Sequence, residues 1–147
     1  MFSSLNISAS ALTASRLRMD VISSNMANAE TTRGELVDGN WIPYRRKSVV
    51  LQEQGQSFSS IFNSTLKEQS SGSGVKVSKI VEDSTPFKLV YNPSHPDANE
   101  DGYVQMPNVD PLREMVDLLS TTRTYEANVT VLNASKAMLL KTLEIGK

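Results

Sequence analysis

Apolar and small residues recur every three or four positions at both ends of the chain, while the middle alternates weakly and is often interrupted. From Leu5 such steps land on Ser8, Leu12, Ser15, Met19, Ile22, Met26 and Ala29. The spacing predicts an amphipathic helix. Its Ser and Ala positions let a neighbouring backbone come close, and Arg16, Arg18 and Asp20 fall off the stripe. Thr31, Thr32 and Gly34 oppose further helix, so the run is expected to stop there. Steps of three and four from Met115 give Leu118, Thr122, Tyr125, Val129, Leu132, Lys136, Leu139 and Leu143, broken only by Thr122 and Lys136. Asp110-Pro111 reads as the start of this second helix, Asp as N-cap and Pro at the first helical position. Gly146 reads as its stop.

Between them, Tyr44 to Leu51 and Val75 to Val81 have the β-branched alternation of strands, and Phe87 to Tyr91 and Tyr103 to Met106 are weaker candidates. Residues 57–69 fit a short helix or a loop, and the Ser/Gly run from Ser70 to Gly74 has linker composition. The stretch from Asn92 to Gly102 holds two prolines and a glycine and reads as turns. The elements sum to an α+β chain in three segments: an N-terminal helix and loop (1–34), a small β-containing insert (35–109) and a C-terminal helix (110–147).

A helix from Pro111 to Ile145 spans about 50 Å, whereas a compact chain of this length is about 40 Å across. Burying a large apolar side chain is worth roughly 1.5–3 kcal/mol, against about 1–2 kcal/mol to order each residue's backbone. Two helices alone are therefore marginal, and other subunits are the expected cover for the stripes. A helical hairpin packed on the β insert of its own chain is the competing reading.

At 147 residues the chain has the length of one domain, and 15 basic residues against 16 acidic ones leave no field to attract nucleic acid or anionic membrane. There is no cysteine, which excludes disulfides, thiolate metal sites and thiol nucleophiles. The N-terminus lacks the features of a secretory leader, and no stretch approaches the roughly 18 apolar residues of a membrane span.

Three features imitate sites. Asp97, Asn99, Asp101 and Gly102 reproduce the start of an EF-hand loop, but position twelve is Asn108 instead of a bidentate Glu, so a solvated turn is expected. His95 is the single histidine and has no second ligand or nucleophile motif beside it. Arg45-Arg46-Lys47 could touch a polyanion, yet a short basic run beside Val49 and Leu51 is expected to be a strand's solvent edge. No cofactor or metal is expected.

The stretch MDVISSNMANAETT resembles the N-terminal signature of the flagellar rod and hook axial-protein family, with the match carried by Asn25, Asn28, Thr31 and Thr32. Gly102-Tyr103-Val104, Pro107-Asn108-Val109, Tyr125-Glu126-Ala127-Asn128, Lys136 and Met138 are similar to the C-terminal end of the family's proximal-rod members. Gly74-Val75-Lys76-Val77 and Leu89-Val90-Tyr91 match more faintly. The segment from Ala29 to Gly34 is more charged than the Asn-Thr-Thr-Gly continuation of hook and distal-rod relatives.

The resemblance implies a structural subunit of the bacterial flagellar basal body in the cell envelope, exported unfolded without a cleaved leader and transmitting torque once assembled. Its terminal helices would pair as a coiled coil and pack against neighbours. The implied partners are copies of itself, other rod proteins, basal-body ring or adaptor proteins and the export apparatus, with neither nucleic acid nor membrane insertion. Leu5, Leu12, Met19, Ile22, Asn25, Met26 and Asn28 would form one assembly face. Met115, Leu118, Tyr125, Asn128, Val129, Leu132, Leu139 and Leu143 would form the other. The alternatives are another axial protein of the family or a small secreted calcium-binding module; an enzyme is the weakest reading, for want of a convergent acid, base or nucleophile.

Overall fold

The computed structural model describes residues 2–55 and 73–145. Its elements, in chain order, are α1 (Phe2–Ala27), β1 (Glu35–Val37), β2 (Asn40–Ile42), β3 (Lys47–Glu53), β4 (Val75–Glu82), β5 (Lys88–Tyr91), β6 (Tyr103–Met106) and α2 (Pro111–Ile145). The α+β class is as the hydrophobic pattern predicts. Residues 57–69, read as a short helix or loop, and Gly146, read as a helix stop, lie outside the described residues, as does most of the Ser/Gly run.

The strands form three separate two-stranded sheets, β1–β2, β3–β4 and β5–β6. In β5–β6 the antiparallel register pairs Lys88 with Met106 and Tyr91 with Tyr103, and the two tyrosine rings meet edge to face at 5.3 Å. The Gln54 amide donates to the Gly74 carbonyl and the Asp83 amide to the Arg46 carbonyl, each at 2.8 Å. These bonds bracket β3–β4 and make it antiparallel. The hairpin β1–β2 was not predicted from the sequence. Its signal is Asp38-Gly39 between ELV and NWI, a two-residue turn that needs positive φ at both positions, and the structure has Asp38 at 51° and Gly39 at 84°.

Local chemistry sets both helix limits. The Leu112 amide donates to Asp110 Oδ1 at 3.1 Å, and the Glu114 amide makes the first helical bond to the Asp110 carbonyl at 3.0 Å, so Asp110 is the predicted N-cap. At the other limit α1 ends at Ala27, before the Thr-Thr pair. The Asn28 side chain donates to the Ser24 carbonyl at 2.9 Å, which the Asn28 amide also reaches at 3.1 Å, and accepts from the Thr31 hydroxyl at 3.2 Å, tying the helix end to the loop that follows.

The chain divides into two compact units, the first made of Met1–Leu17, Val50–Lys79 and Ser120–Lys147, the second of Arg18–Val49 and Ile80–Leu119. In the first, the buried positions on the helices are small: Ser8, Ala14, Thr121 and Ser135. The Ser10 hydroxyl ties α1 to β4 there, accepting from the Val75 amide at 3.1 Å. In the second, Val21, Ile22, Val104 and Val109 are buried beside the polar Asn25, Asn108 and Glu114.

The hairpin turn gives the first prediction. A Cβ at Gly39 would meet nothing within 4 Å, so substitution there costs conformational energy alone. Gly39→Val should destabilise by about 1–2 kcal/mol, and Gly39→Asn, a residue that tolerates the left-handed region, by clearly less. Chemical denaturation of the two variants measures the difference.

Candidate functional site

The second unit is organised by a buried polar cluster at the N-terminal end of α2. Glu114, at the end of the first turn of that helix, is 0% exposed. Arg46, just before β3, donates from Nε to Glu114 Oε1 at 2.6 Å and reaches Asp117 at 3.5 Å and Asp83 at 3.8 Å. The other oxygen of Glu114 accepts from Asn25 Nδ2 at 3.0 Å. Opposite charge and a second donor therefore compensate a carboxylate that water does not reach.

Asn25 spends its whole amide on this junction. Besides bonding Glu114, Nδ2 donates to the Lys47 carbonyl at 2.8 Å, while Oδ1 accepts from the Lys47 amide at 2.9 Å and the Tyr44 hydroxyl at 3.0 Å. A side chain that pairs with both backbone groups of one residue acts like a short piece of neighbouring strand, and it docks the last turns of α1 onto the start of β3. Asn108 bridges two segments on the other side. Its Oδ1 accepts from the Arg46 amide at 2.8 Å, and its Nδ2 donates to Thr85 Oγ1 at 2.9 Å and to the Asp83 and Thr85 carbonyls. The described buried side chains leave no nitrogen or oxygen without a partner.

The loop after α1 has its own anchor. Asp97 accepts from the Thr32 hydroxyl at 2.8 Å and from Arg33 Nε at 2.8 Å, and Arg33 Nη2 lies 2.6 Å from Oδ1. Those bonds, from Arg33 first and Thr32 second, hold the Asp97 carboxyl below its ordinary value of 3.8. The Asp83 carboxyl is also lowered, chiefly by the Thr85 amide at 3.0 Å.

The imitation calcium loop is thereby explained. Both oxygens of Asp97 are engaged by the loop after α1, and Asn99 Oδ1 accepts from the Tyr103 amide at 2.7 Å. Gly102 has φ 78°, and a Cβ there would press on the Tyr91 ring at 3.0 Å, so the glycine serves the β5–β6 turn. His95 accepts from the Asp97 amide through Nδ1 at 3.1 Å. Among the described residues no group of three or more His, Cys, Asp or Glu could hold a metal.

The reading of Arg45-Arg46-Lys47 as a solvent edge needs correction. Arg46 is turned inward to Glu114, and Arg45 lies over the Phe87 ring at 4.5 Å. The run is half-buried, and its central residue points inward because three carboxylates converge on it.

Of the expected assembly positions, Ile22 and Asn25 are buried. Leu5, Leu12, Met19, Met26 and Asn28 are partly buried, as are Leu118, Tyr125, Asn128, Val129, Leu132 and Leu139. Met115 and Leu143 stand out at 51% and 70% exposed. The structure thus brings Asn25 into the cluster with Glu114, to which sequence reasoning assigned no role, and Arg46, which it read as part of a solvent edge. Asn108 was named only as part of a motif.

Two predictions follow from these contacts. Glu114→Ala takes the closest carboxylate from the largely enclosed Arg46, leaving only the longer contacts to Asp83 and Asp117, and should cost up to about 3–5 kcal/mol, against under about 1 kcal/mol for an exposed pair such as Lys141 with Glu144; denaturation midpoints read both. Asp97 has a folded pKa below its unfolded one. It therefore adds stability above about pH 4, lost as pH falls through the folded value. Asp97→Asn should flatten that part of the acid-unfolding profile.

Comparison with known proteins places these positions in a family. Residues 5–33 match the family model described as "Flagella basal body rod protein". Residues 100–145 match the one described as "Flagellar basal body rod FlgEFG protein C-terminal". The first covers α1 with its loop, and the second covers β6 and α2. The chain is 66% identical to the flagellar basal-body rod protein FlgC of Bacillus subtilis, over 99% of this chain and 98% of the relative. It is 42% identical to FlgC of Borreliella burgdorferi over 99% and 97%, and 44% identical to FlgC of Salmonella typhimurium over 97% and 95%. Similarity of this extent, running through the insert as well as both helices, shows that the chain belongs to the FlgC family of flagellar basal-body rod proteins.

Proposed function

We propose that this chain is a structural subunit of the bacterial flagellar basal-body rod, in its proximal part, where it transmits torque and carries out no catalysis. The observation that carries the reading is the distribution of apolar surface. Among the described residues five aliphatic side chains and two prolines are buried, while eighteen large apolar ones stand exposed, including Trp41, Leu89, Tyr91, Leu112, Leu119 and Leu143. Exposed apolar surface on this scale marks a protein that meets others. Near-complete correspondence with FlgC proteins, two of them over 97% or more of both chains, gives the assembly its name. No helix of the described residues is long and apolar enough to cross a membrane.

The terminal helices pair as a coiled coil and polymerise through their stripes. Partly buried Leu12, Met19, Leu118, Tyr125, Leu132 and Leu139 hold the seam, and exposed Met115 and Leu143 face neighbouring subunits. The segments 1–34 and 110–147 serve assembly, and 35–109 lies between them as an outward-facing insert. The chain is exported unfolded, consistent with a cysteine-free sequence, and its neighbours are further copies, other rod proteins and the ring or adaptor proteins of the basal body.

Replacing Leu132 and Leu139 with Asp should leave export intact and abolish incorporation, read by immunoblot of the secreted fraction and electron microscopy of isolated basal bodies. Incorporation at the parent level would show that this stripe is no interface. Cells lacking the gene should lose hooks and filaments and regain them on complementation; flagella that persist without it would overturn the rod assignment.

A further inference from the structure

The first turns of α2 bury the less apolar of their two faces. Glu114 is 0% exposed, whereas Leu112, Met115, Val116 and Leu119, spaced to share the opposite side of the helix, are 72%, 51%, 58% and 65% exposed. Apolar burial alone favours a helix rotated by roughly half a turn, with this quartet inward and Glu114 in water. Something in the second unit selects against that rotation.

The contacts of Glu114 identify it. Asn25 of α1 meets Glu114 directly at 3.0 Å and grips both backbone groups of Lys47. Arg46, the neighbour of Lys47, closes on Glu114 at 2.6 Å and also reaches Asp117 on the next turn. Both ends of the link are therefore fixed, one to the end of α1 and one to the start of β3. A buried ion pair returns little net stability, because desolvation offsets its attraction. Its geometry is nevertheless exacting: stepping α2 by one residue turns Glu114 by about 100° and leaves Arg46 and Asn25 without their acceptor.

We propose that Asn25, Arg46 and Glu114 form a rotational and register lock between α1 and α2 in the second unit. Its function is to keep the Leu112, Met115, Val116, Leu119 face outward, at the expense of the stability that burying this face would give. The three are positioning residues: they fix which surface the helix presents. The inference concerns the isolated chain and stands independently of the rod assignment.

The absence of cysteine permits a clean test. Nitroxide labels on Ser23→Cys in α1 and Arg113→Cys in α2 report the setting of one helix against the other as a distance distribution in the full-length monomer. Arg46→Met with Glu114→Leu replaces the pair with apolar side chains. The labelled parent should give one narrow distance. The double variant should unfold at the same or a higher denaturant midpoint and yet show a second distance, displaced on the order of 5–10 Å, within the diameter of a helix with its side chains. A single distance as narrow as the parent's would overturn the lock. A double variant that does not fold would overturn it too, since the pair would then supply stability and not specificity.

Discussion

Water is excluded from one carboxylate at the junction of the two helices and the strands, and the second unit is arranged around satisfying it. Glu114 receives Arg46 on one oxygen and Asn25 on the other. Arg46 is in place because its amide is held by Asn108 and its carbonyl by the Asp83 amide. Asn25 is in place because Lys47 accepts and returns its hydrogen bonds. Segments from Asn25, 46–47, Asp83, Asn108 and Glu114 are thus bound through one cluster, and removing Asn25 or Arg46 leaves the buried Glu114 carboxylate short of a partner. The valines packed around it are few, so the polar geometry determines how these segments meet.

The same arrangement accounts for the apolar surface on the first turns of α2. Turning Glu114 inward leaves Leu112, Met115, Val116 and Leu119 outside in the second unit; in the first unit, Val131, Met138, Leu140 and Leu143 are exposed as well. In a monomer such a surface is a liability. In the proposed assembly it would be contact area, since non-identical faces of one chain that meet heterologously generate open helical assemblies without a separate closure element.

Much of this was legible in the sequence where the cause is local. Asp110-Pro111 announced the start of α2 because a cap needs only neighbours within one turn, and Tyr103 to Met106 appears as a strand with its predicted bounds. The Asp38-Gly39 hairpin was also written locally, but its strands are three residues each, too short to register as alternation. The cluster was not legible. Arg46 and Glu114 are 68 positions apart, and each sits in a stretch whose charges resemble a solvated surface. Asn25 could be picked out only through its resemblance to a signature, because periodicity reads an asparagine on a helix as a weak polar position.

The most direct test is native-state hydrogen exchange on the full-length monomer. Two amides report the cluster: that of Lys47, which donates to the Asn25 side chain, and that of Arg46, which donates to the Asn108 side chain. If the cluster holds the second unit together, both should exchange only through the same cooperative opening that releases the first turns of α2, with equal free energies and equal denaturant dependence. If Lys47 and Arg46 instead exchange by small local openings while α2 remains protected, the cluster is a peripheral ornament of a unit held together by its valines, and the account is wrong.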